Sequence, residues 1–255
     1  MIRIGIVGTG NIVGISHFHT LGLLCDGRAE ITAVYDTRMD GAREWAAQHG
    51  LNCRVCGSFE EMLDYVDAVN ICVPNAFHCD YALRAIKAGK HFLVEKPMAV
   101  QIEDCRKLAA ACAEYGKTNM VGFVYRFSNA VRQARKIVRE QIGDVYTLSA
   151  WFGGKRLADP SIDLEWRMVR KRSGSGALGD FGSHLVDLAD YVAGQRYSEV
   201  NCFADTFIRE RNFGGVMTPV ENDDAAAFIA RGSNGIGSYT ASRVGMDDVM
   251  VLVTG

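Results

Sequence analysis

Along the first 125 residues, short and continuously apolar runs alternate with segments of helical character. The runs are 2–7 (IRIGIV), 31–35 (ITAVY), a short piece near 53–55, 68–73 (AVNICV), 91–94 (HFLV) and 118–124. Between them lie helical patterns over about 11–25, 39–49, 58–64, 76–88 and 102–115, with Gly89 placed to stop the fourth. Strands that are apolar on both faces need cover on both faces. Strand–helix–strand connections of this kind make neighbouring strands parallel. The expectation is an α/β domain with a parallel sheet and helices on either side.

The pattern changes near Tyr125. A basic amphipathic helix (129–142) ends at Gly143, strand 145–152 opens a long mixed loop (153–175), and a helix follows at 177–193. Strand-like runs then come in succession at 198–209, 225–231, 235–243 and 247–254. Strands joined by short polar turns predict a largely antiparallel, open sheet carrying few helices, an α+β arrangement. Two domains are therefore expected, 1–125 and 126–255. The last strand, around Val249–Val253, stops two residues before the end of the sequence. An uncovered apolar edge is a pairing hazard, so further sequence, an oligomer or both are expected to cover it.

Bulk composition excludes several partners. The net charge of −2 over 255 residues gives no electrostatic footprint for nucleic acid. The start has no leader pattern, and no run reaches the roughly 18 apolar residues of a membrane span, so a cytoplasmic protein is expected. Of the eight cysteines, Cys25, Cys72, Cys79, Cys105, Cys112 and Cys202 are scattered in apolar stretches, while Cys53 and Cys56 form a lone C-x-x-C. No second pair or histidines follow at zinc spacing, so reduced thiols and no metal site are expected.

Gly8-Thr9-Gly10 follows the first strand and opens a helix. Gly8 suits a tight turn, and Gly10 lets the backbone approach a pyrophosphate. The helix start at Asn11 and Ile12 offers free N–H groups to phosphates. The third small residue of such a motif is replaced by Val13, with Gly14 one later. The second strand ends at Asp36, 22 residues after Gly14, where a carboxylate accepts the ribose hydroxyls of NAD. A Rossmann-type domain binding NAD is the expectation. Arg38 keeps NADP open, because a guanidinium two residues on can turn to a 2′-phosphate.

Glu95-Lys96-Pro97 lies at the carboxyl end of the fifth strand, the edge where open parallel sheets bind ligands. A lysine there donates to a substrate oxygen, and the following proline invites a cis bond. Asp180, His184 and Asp187 stand at i, i+4 and i+7 of one helix and share a face, opposite an apolar set at Leu185, Leu188, Ala189 and Val192. The imidazole titrates near working pH and suits proton transfer; Asp180 orients substrate or tunes it, and Asp187 reads as a helix-face partner. Pro74-Asn75 ends the fourth strand, where nicotinamide or ribose belongs, with His78 just beyond. His17 and His19 cannot share a helix face as a metal pair. The basic stretch 155–172 reads as a solvated loop with acidic partners, or more sharply as a lid over an anionic or polyhydroxylated substrate.

Taken together, these motifs resemble the glucose–fructose oxidoreductase / inositol dehydrogenase (Gfo/Idh/MocA) family. The resemblance runs along essentially the whole chain. It is carried by GIVGTGNIVG, Val73-Pro74-Asn75 with His78, the run from Ala88 to Glu95-Lys96-Pro97, Gly122-Phe123 with Arg126-Phe127, Trp166-Arg167, and Gly176 through Asp180 and His184 to Asp187. It implies hydride transfer between a carbinol of a sugar, inositol or related polyol and NAD(P), and a homo-oligomer, dimer or tetramer, built on the open sheet. It implies Lys96, Asp180 and His184 as catalytic residues. Cofactor contacts would then include Gly8, Gly10, Asn11, Ile12, Asp36, Arg38, Pro74, Asn75, His78, Glu95 and Lys96. Substrate contacts would include Tyr125, Arg126, Trp166 and Arg167 beside the catalytic three. Two other readings stand beside it: a glycosidase-type enzyme that oxidises, eliminates and returns the hydride to NAD, and a non-catalytic nucleotide-binding scaffold.

Overall fold

A computed structural model describes residues 1–20, 27–233 and 235–255. The chain divides into two compact units, Met1–Gly122 and Phe123–Gly255. Residues 21–25 of the expected first helix, Cys25 among them, lie outside the described residues.

The first unit is a six-stranded parallel sheet. Its strands are β1 (Ile2–Val7), β2 (Ala29–Tyr35), β3 (Arg54–Val55), β4 (Ala68–Ile71), β5 (His91–Val94) and β6 (Asn119–Val121), in the order β3-β2-β1-β4-β5-β6. The order reverses between β2 and β4, on the two sides of β1, which makes the carboxyl end of β1 a switch point. Successive residues point to opposite faces, and both faces are covered. Ile6 and Val34 pack with Val13, Ala42 and Trp45 on one side. Val7 and Ala33 pack with Phe59, Met62, Val69 and Ala82 on the other. That double cover is why the runs read as continuously apolar rather than alternating. The helices Met39–Gln48, Phe59–Leu63, His78–Lys87 and Ile102–Tyr115 supply it. Ser58 starts the second of these, its hydroxyl accepting the Glu61 N–H at 3.1 Å.

The second unit is α+β. Its five-stranded sheet runs β13-β7-β12-β11-β8, from β7 (Thr147–Gly153), β8 (Tyr197–Asp205), β11 (Ala225–Gly232), β12 (Ile236–Ser242) and β13 (Asp248–Thr254). β7 and β12 are parallel and the other pairings antiparallel, so the sheet is mixed but largely antiparallel. One face carries the helix Ser183–Ala193, whose Leu185, Ala189 and Val192 meet Leu148, Ala150, Phe228 and Tyr239. The opposite face is open: Phe203 is 81% exposed, and Val200, Ile229 and Leu252 are exposed with it.

The expected strand 198–209 ends at Asp205, and a separate hairpin follows, β9 (Glu210–Phe213) with β10 (Val216–Pro219), across Gly214-Gly215. Both glycines have positive φ, as a two-residue hairpin turn requires. The expected helix 177–193 is regular only from Ser183; Leu178–Gly182 forms a wider π-helical turn. The helix expected over 129–142 closes the same way, as Asn129–Ile137 followed by the π-helical Val138–Ile142.

The loop 153–175 is tied down by two buried arginines. Arg211 donates to the carbonyls of Asp159 and Ile162 at 2.8 and 3.1 Å, and to that of Leu157. Arg243 donates to the Arg167 carbonyl at 3.2 Å and to Asn222 Oδ1 at 2.6 Å. It also pairs with Asp224 at 3.1 Å, both side chains being under 5% exposed. The second Asp224 oxygen accepts the N–H groups of Phe207 and Ile208 at 2.9 and 2.8 Å. Removing one member leaves an uncompensated charge in a dry site. Asp224→Ala is therefore expected to destabilise the protein by about 3–5 kcal/mol in urea unfolding; a loss below about 1 kcal/mol would contradict the pair's role.

Candidate active site and dinucleotide cradle

In the first unit the glycine turn sits at the switch point. Gly8 has φ +84°, and a Cβ there would lie 2.6 Å from the Cys72 carbonyl oxygen, so only glycine fits. Gly10 is different: a Cβ there meets nothing within 4 Å. Open space over Gly10, beside a turn that leads into the helical residues 11–20, fits the close approach of a pyrophosphate. Val13 is fully buried against Ile6, Val34 and Trp45, so the larger residue is absorbed by the core beneath the turn.

Asp36 is fixed from two sides. Its Oδ2 accepts the Thr9 N–H at 2.9 Å and the Thr9 hydroxyl at 3.1 Å, and its Oδ1 accepts the Arg38 N–H at 2.9 Å. The Arg38 guanidinium lies along the start of the next helix, over Gly41. Pro74 and Asn75 follow β4, half-buried, at the same carboxyl edge.

His78, at the start of the following helix, is held from both sides. It is 1% exposed, with Nδ1 2.7 Å from the Pro97 carbonyl and Nε2 2.8 Å from that of Val73. Burial pulls its pKa down, against the two carbonyl contacts. Both ring nitrogens face backbone, so His78 is a strut joining the end of β4 to Pro97. The Lys96–Pro97 bond is cis. Lys96 itself is half-buried at the end of β5. Glu95 is also committed internally: one oxygen meets buried His17 at 2.6 Å and the other accepts the Lys96 N–H at 3.2 Å. Burial pushes the Glu95 carboxyl up, but the His17 hydrogen bond and the Lys96 charge outweigh it and hold it below the usual range.

In the second unit, Gly176 through His184 is organised by Asp223. Its two oxygens accept the N–H groups of Gly176 and Leu178, each at 2.7 Å. A Cβ at Gly176 would overlap the Asp223 carbonyl, so that position must be glycine. The π-helical turn that starts there carries Asp180, half-buried, and hands over to the helix bearing His184. His184 is 6% exposed among the rings of Phe123, Tyr125 and Phe152, with centroids at 5.8, 5.1 and 5.5 Å. Asp187 is taken by Arg126, which donates through Nε at 2.9 Å and Nη2 at 2.5 Å. Burial pushes the Asp187 carboxyl above its ordinary range, against that pairing. The structure thus gives the Arg126 guanidinium a partner within its own unit. Trp166 and Arg167 stack on each other, the guanidinium carbon 4.6 Å from the ring centroid.

Among the described residues, no group of three or more His, Cys, Asp or Glu is placed to hold a metal. The seven cysteines among them are free, Cys53 and Cys56 included. No helix there is long and apolar enough to cross a membrane. Thr9, Asn70 and Asp223 have no role in the sequence reading, where His17 figures only as half of a metal pair. Only Thr9 left a local signal, as the polar residue inside the glycine turn; the others act on partners far along the chain.

Comparison with known proteins settles the lineage. Residues 2–123 match the model of the oxidoreductase family with an NAD-binding Rossmann fold, and residues 131–255 match the GFO/IDH/MocA C-terminal domain. The chain belongs to the GFO/IDH/MocA oxidoreductase family. The levoglucosan dehydrogenase of Pseudarthrobacter phenanthrenivorans is 34% identical over 194 residues, which is 70% of this chain and 50% of that protein. An oxidoreductase domain protein from Kribbella flavida superposes with a TM-score of 0.93 at 32% identity, over 100% of this chain and 72% of that one. A levoglucosan dehydrogenase in complex with NADH and L-sorbose superposes with a TM-score of 0.92 at 28% identity, over 100% and 71%. The chain spans about half the length of the curated relatives it matches.

The two cradle glycines do different work, which separates them in stability measurements. Gly8→Ala is expected to cost about 2 kcal/mol or more, from backbone strain and collision with Cys72. Gly10→Ala should stay within about 1 kcal/mol, its Cβ entering open space. Equal losses in urea unfolding would contradict the assignment.

Proposed function

We propose that this GFO/IDH/MocA chain serves an NAD-dependent oxidoreductase acting on a carbinol of a sugar, inositol or related polyol. The observation that carries the reading is the Asp36 carboxylate, held by Thr9 beside the open backbone of Gly10. A carboxylate there accepts ribose hydroxyls and repels a 2′-phosphate, which favours NAD over NADP. Gly8, Gly10, Asn11, Ile12, Asp36, Pro74 and Asn75 are the residues to hold the cofactor, with Arg38 the group to accommodate NADP if that is bound. When bound, nicotinamide supplies the hydride acceptor or donor.

The residues of the chain handle the proton. Lys96, an ammonium at the end of β5, donates to the carbinol oxygen and favours its developing negative charge. His184 takes the hydroxyl proton; its packing among three aromatic rings limits rotation of the imidazole. Asp180 orients the substrate hydroxyl or the imidazole. Tyr125, Trp166 and Arg167 are the proposed substrate contacts, while Arg126, paired with Asp187, acts first on the frame around His184.

The open face of the second sheet, with Phe203, Val200, Ile229 and Leu252, supports self-association as a dimer or tetramer. The free thiols among the described residues support a reducing, cytoplasmic setting.

Screening sugars and inositols for formation of reduced nicotinamide tests the reading. Lys96→Ala or His184→Ala is expected to lower kcat about 10²–10⁴-fold while NADH affinity stays within about threefold. Turnover equal to the parent in both variants would overturn the assignment. Sugar cleavage without accumulation of reduced nicotinamide would point to the redox-elimination chemistry instead.

A further inference from the structure

His17 stands outside the chemistry just described, yet it sits in a built polar site. It projects from the helical residues 11–20 and is 8% exposed. Its Nδ1 lies 3.0 Å from Nδ2 of Asn70, a buried residue of β4. An amide nitrogen can only donate, so Nδ1 accepts and the ring proton is on Nε2. Nε2 then donates to Glu95 Oε1 at 2.6 Å. The remaining Asn70 oxygen is buried with no hydrogen-bond partner among the described residues. Glu95 is nearly as enclosed, at 12% exposure, and its other oxygen accepts the backbone N–H of Lys96. Gly122 leaves the carboxylate its room: a Cβ there would come within 3.2 Å of Oε1.

A buried carboxylate held by an imidazole is seldom the cheapest way to fill a core, since apolar side chains of like volume do so without desolvating a charge. Here the pair ends on the residue next to Lys96. We propose that His17 is a positioning residue for Lys96: by donating to Glu95 it keeps that carboxylate anchored against the Lys96 backbone, and the carboxylate in turn holds a negative charge beside Lys96 and a fixed point of departure for its side chain. The proposal rests on the reading of Lys96 as the group that meets the substrate.

Without the Nε2 donor, an enclosed carboxylate takes up a proton. Lys96 then loses its negative neighbour, and its free-amine fraction rises. Trace acetylation with acetic anhydride at mildly alkaline pH reads that fraction directly, with Lys96 quantified by peptide mass spectrometry against exposed Lys117 in the same sample. The His17→Leu variant is expected to raise the Lys96:Lys117 ratio about threefold or more, and Glu95→Gln to raise it similarly. His17→Gln, whose amide can still donate to Glu95, should return the ratio to near the parent's. A folded His17→Leu with the parent's ratio overturns the proposal and leaves His17 a packing residue. If that variant does not fold, His17→Asn decides by the same criterion, because its shorter amide can face Asn70 without reaching Glu95. The readout needs neither sugar nor nicotinamide. A Lys96→Ala variant that still oxidises its substrate would sink the functional reading without touching this result.

Discussion

The contact between Thr9 and Asp36 is the constraint on which the rest of the first unit depends. A single carboxylate oxygen gathers the N–H and the hydroxyl of one residue in the glycine turn. The ends of β1 and β2 are thereby locked together at the edge where the strand order reverses. The turn can hold that shape because Gly8 accepts a positive φ beneath the Cys72 carbonyl. One charge thus shapes the loop, and in the proposed function the same charge selects the ribose. The helix start at Asn11, the open backbone of Gly10 and the end of β4 are useful to a dinucleotide only while that geometry holds.

Elsewhere the structure uses buried polar struts where the chain is irregular. Arg211 and Arg243 secure the loop 153–175 from beneath by donating to its carbonyls, a task that a short apolar loop core of Leu157, Met168 and Val220 supplements. Asp223 does the same for the turn that carries Asp180. His78 joins Val73 to Pro97. Each strut satisfies backbone groups that no strand or helix ladder reaches.

Much of this was legible in the sequence. Continuous apolar runs gave the parallel sheet because both of its faces are covered, and the strand 91–94 and the helix 102–115 coincide with β5 and Ile102–Tyr115. Gly-Gly at 214–215 is a readable hairpin signal, lying in the segment between the expected strands 198–209 and 225–231. The π-helical turn before Ser183 carries no periodic signature, since its register is set by Asp223, more than forty residues on. The motif residues of the site stood out because glycine, lysine, aspartate and histidine occupy telling places along the strands and helices. Their supporting residues did not, because the pairings of His17 with Glu95 and Arg126 with Asp187 are made by the tertiary fold across 78 and 61 residues. For Glu95 and His78 the motif gave the neighbourhood, and only the fold shows which of their polar atoms are engaged within the protein.

The most direct test of the account is a titration of the chain with NADH and with NADPH, followed by nicotinamide fluorescence. The geometry of Asp36 predicts saturable binding of NADH, tighter than NADPH by about tenfold or more, and loss of that preference in Asp36→Ala. Tighter binding of NADPH, or binding of neither nucleotide by the folded chain, would contradict it.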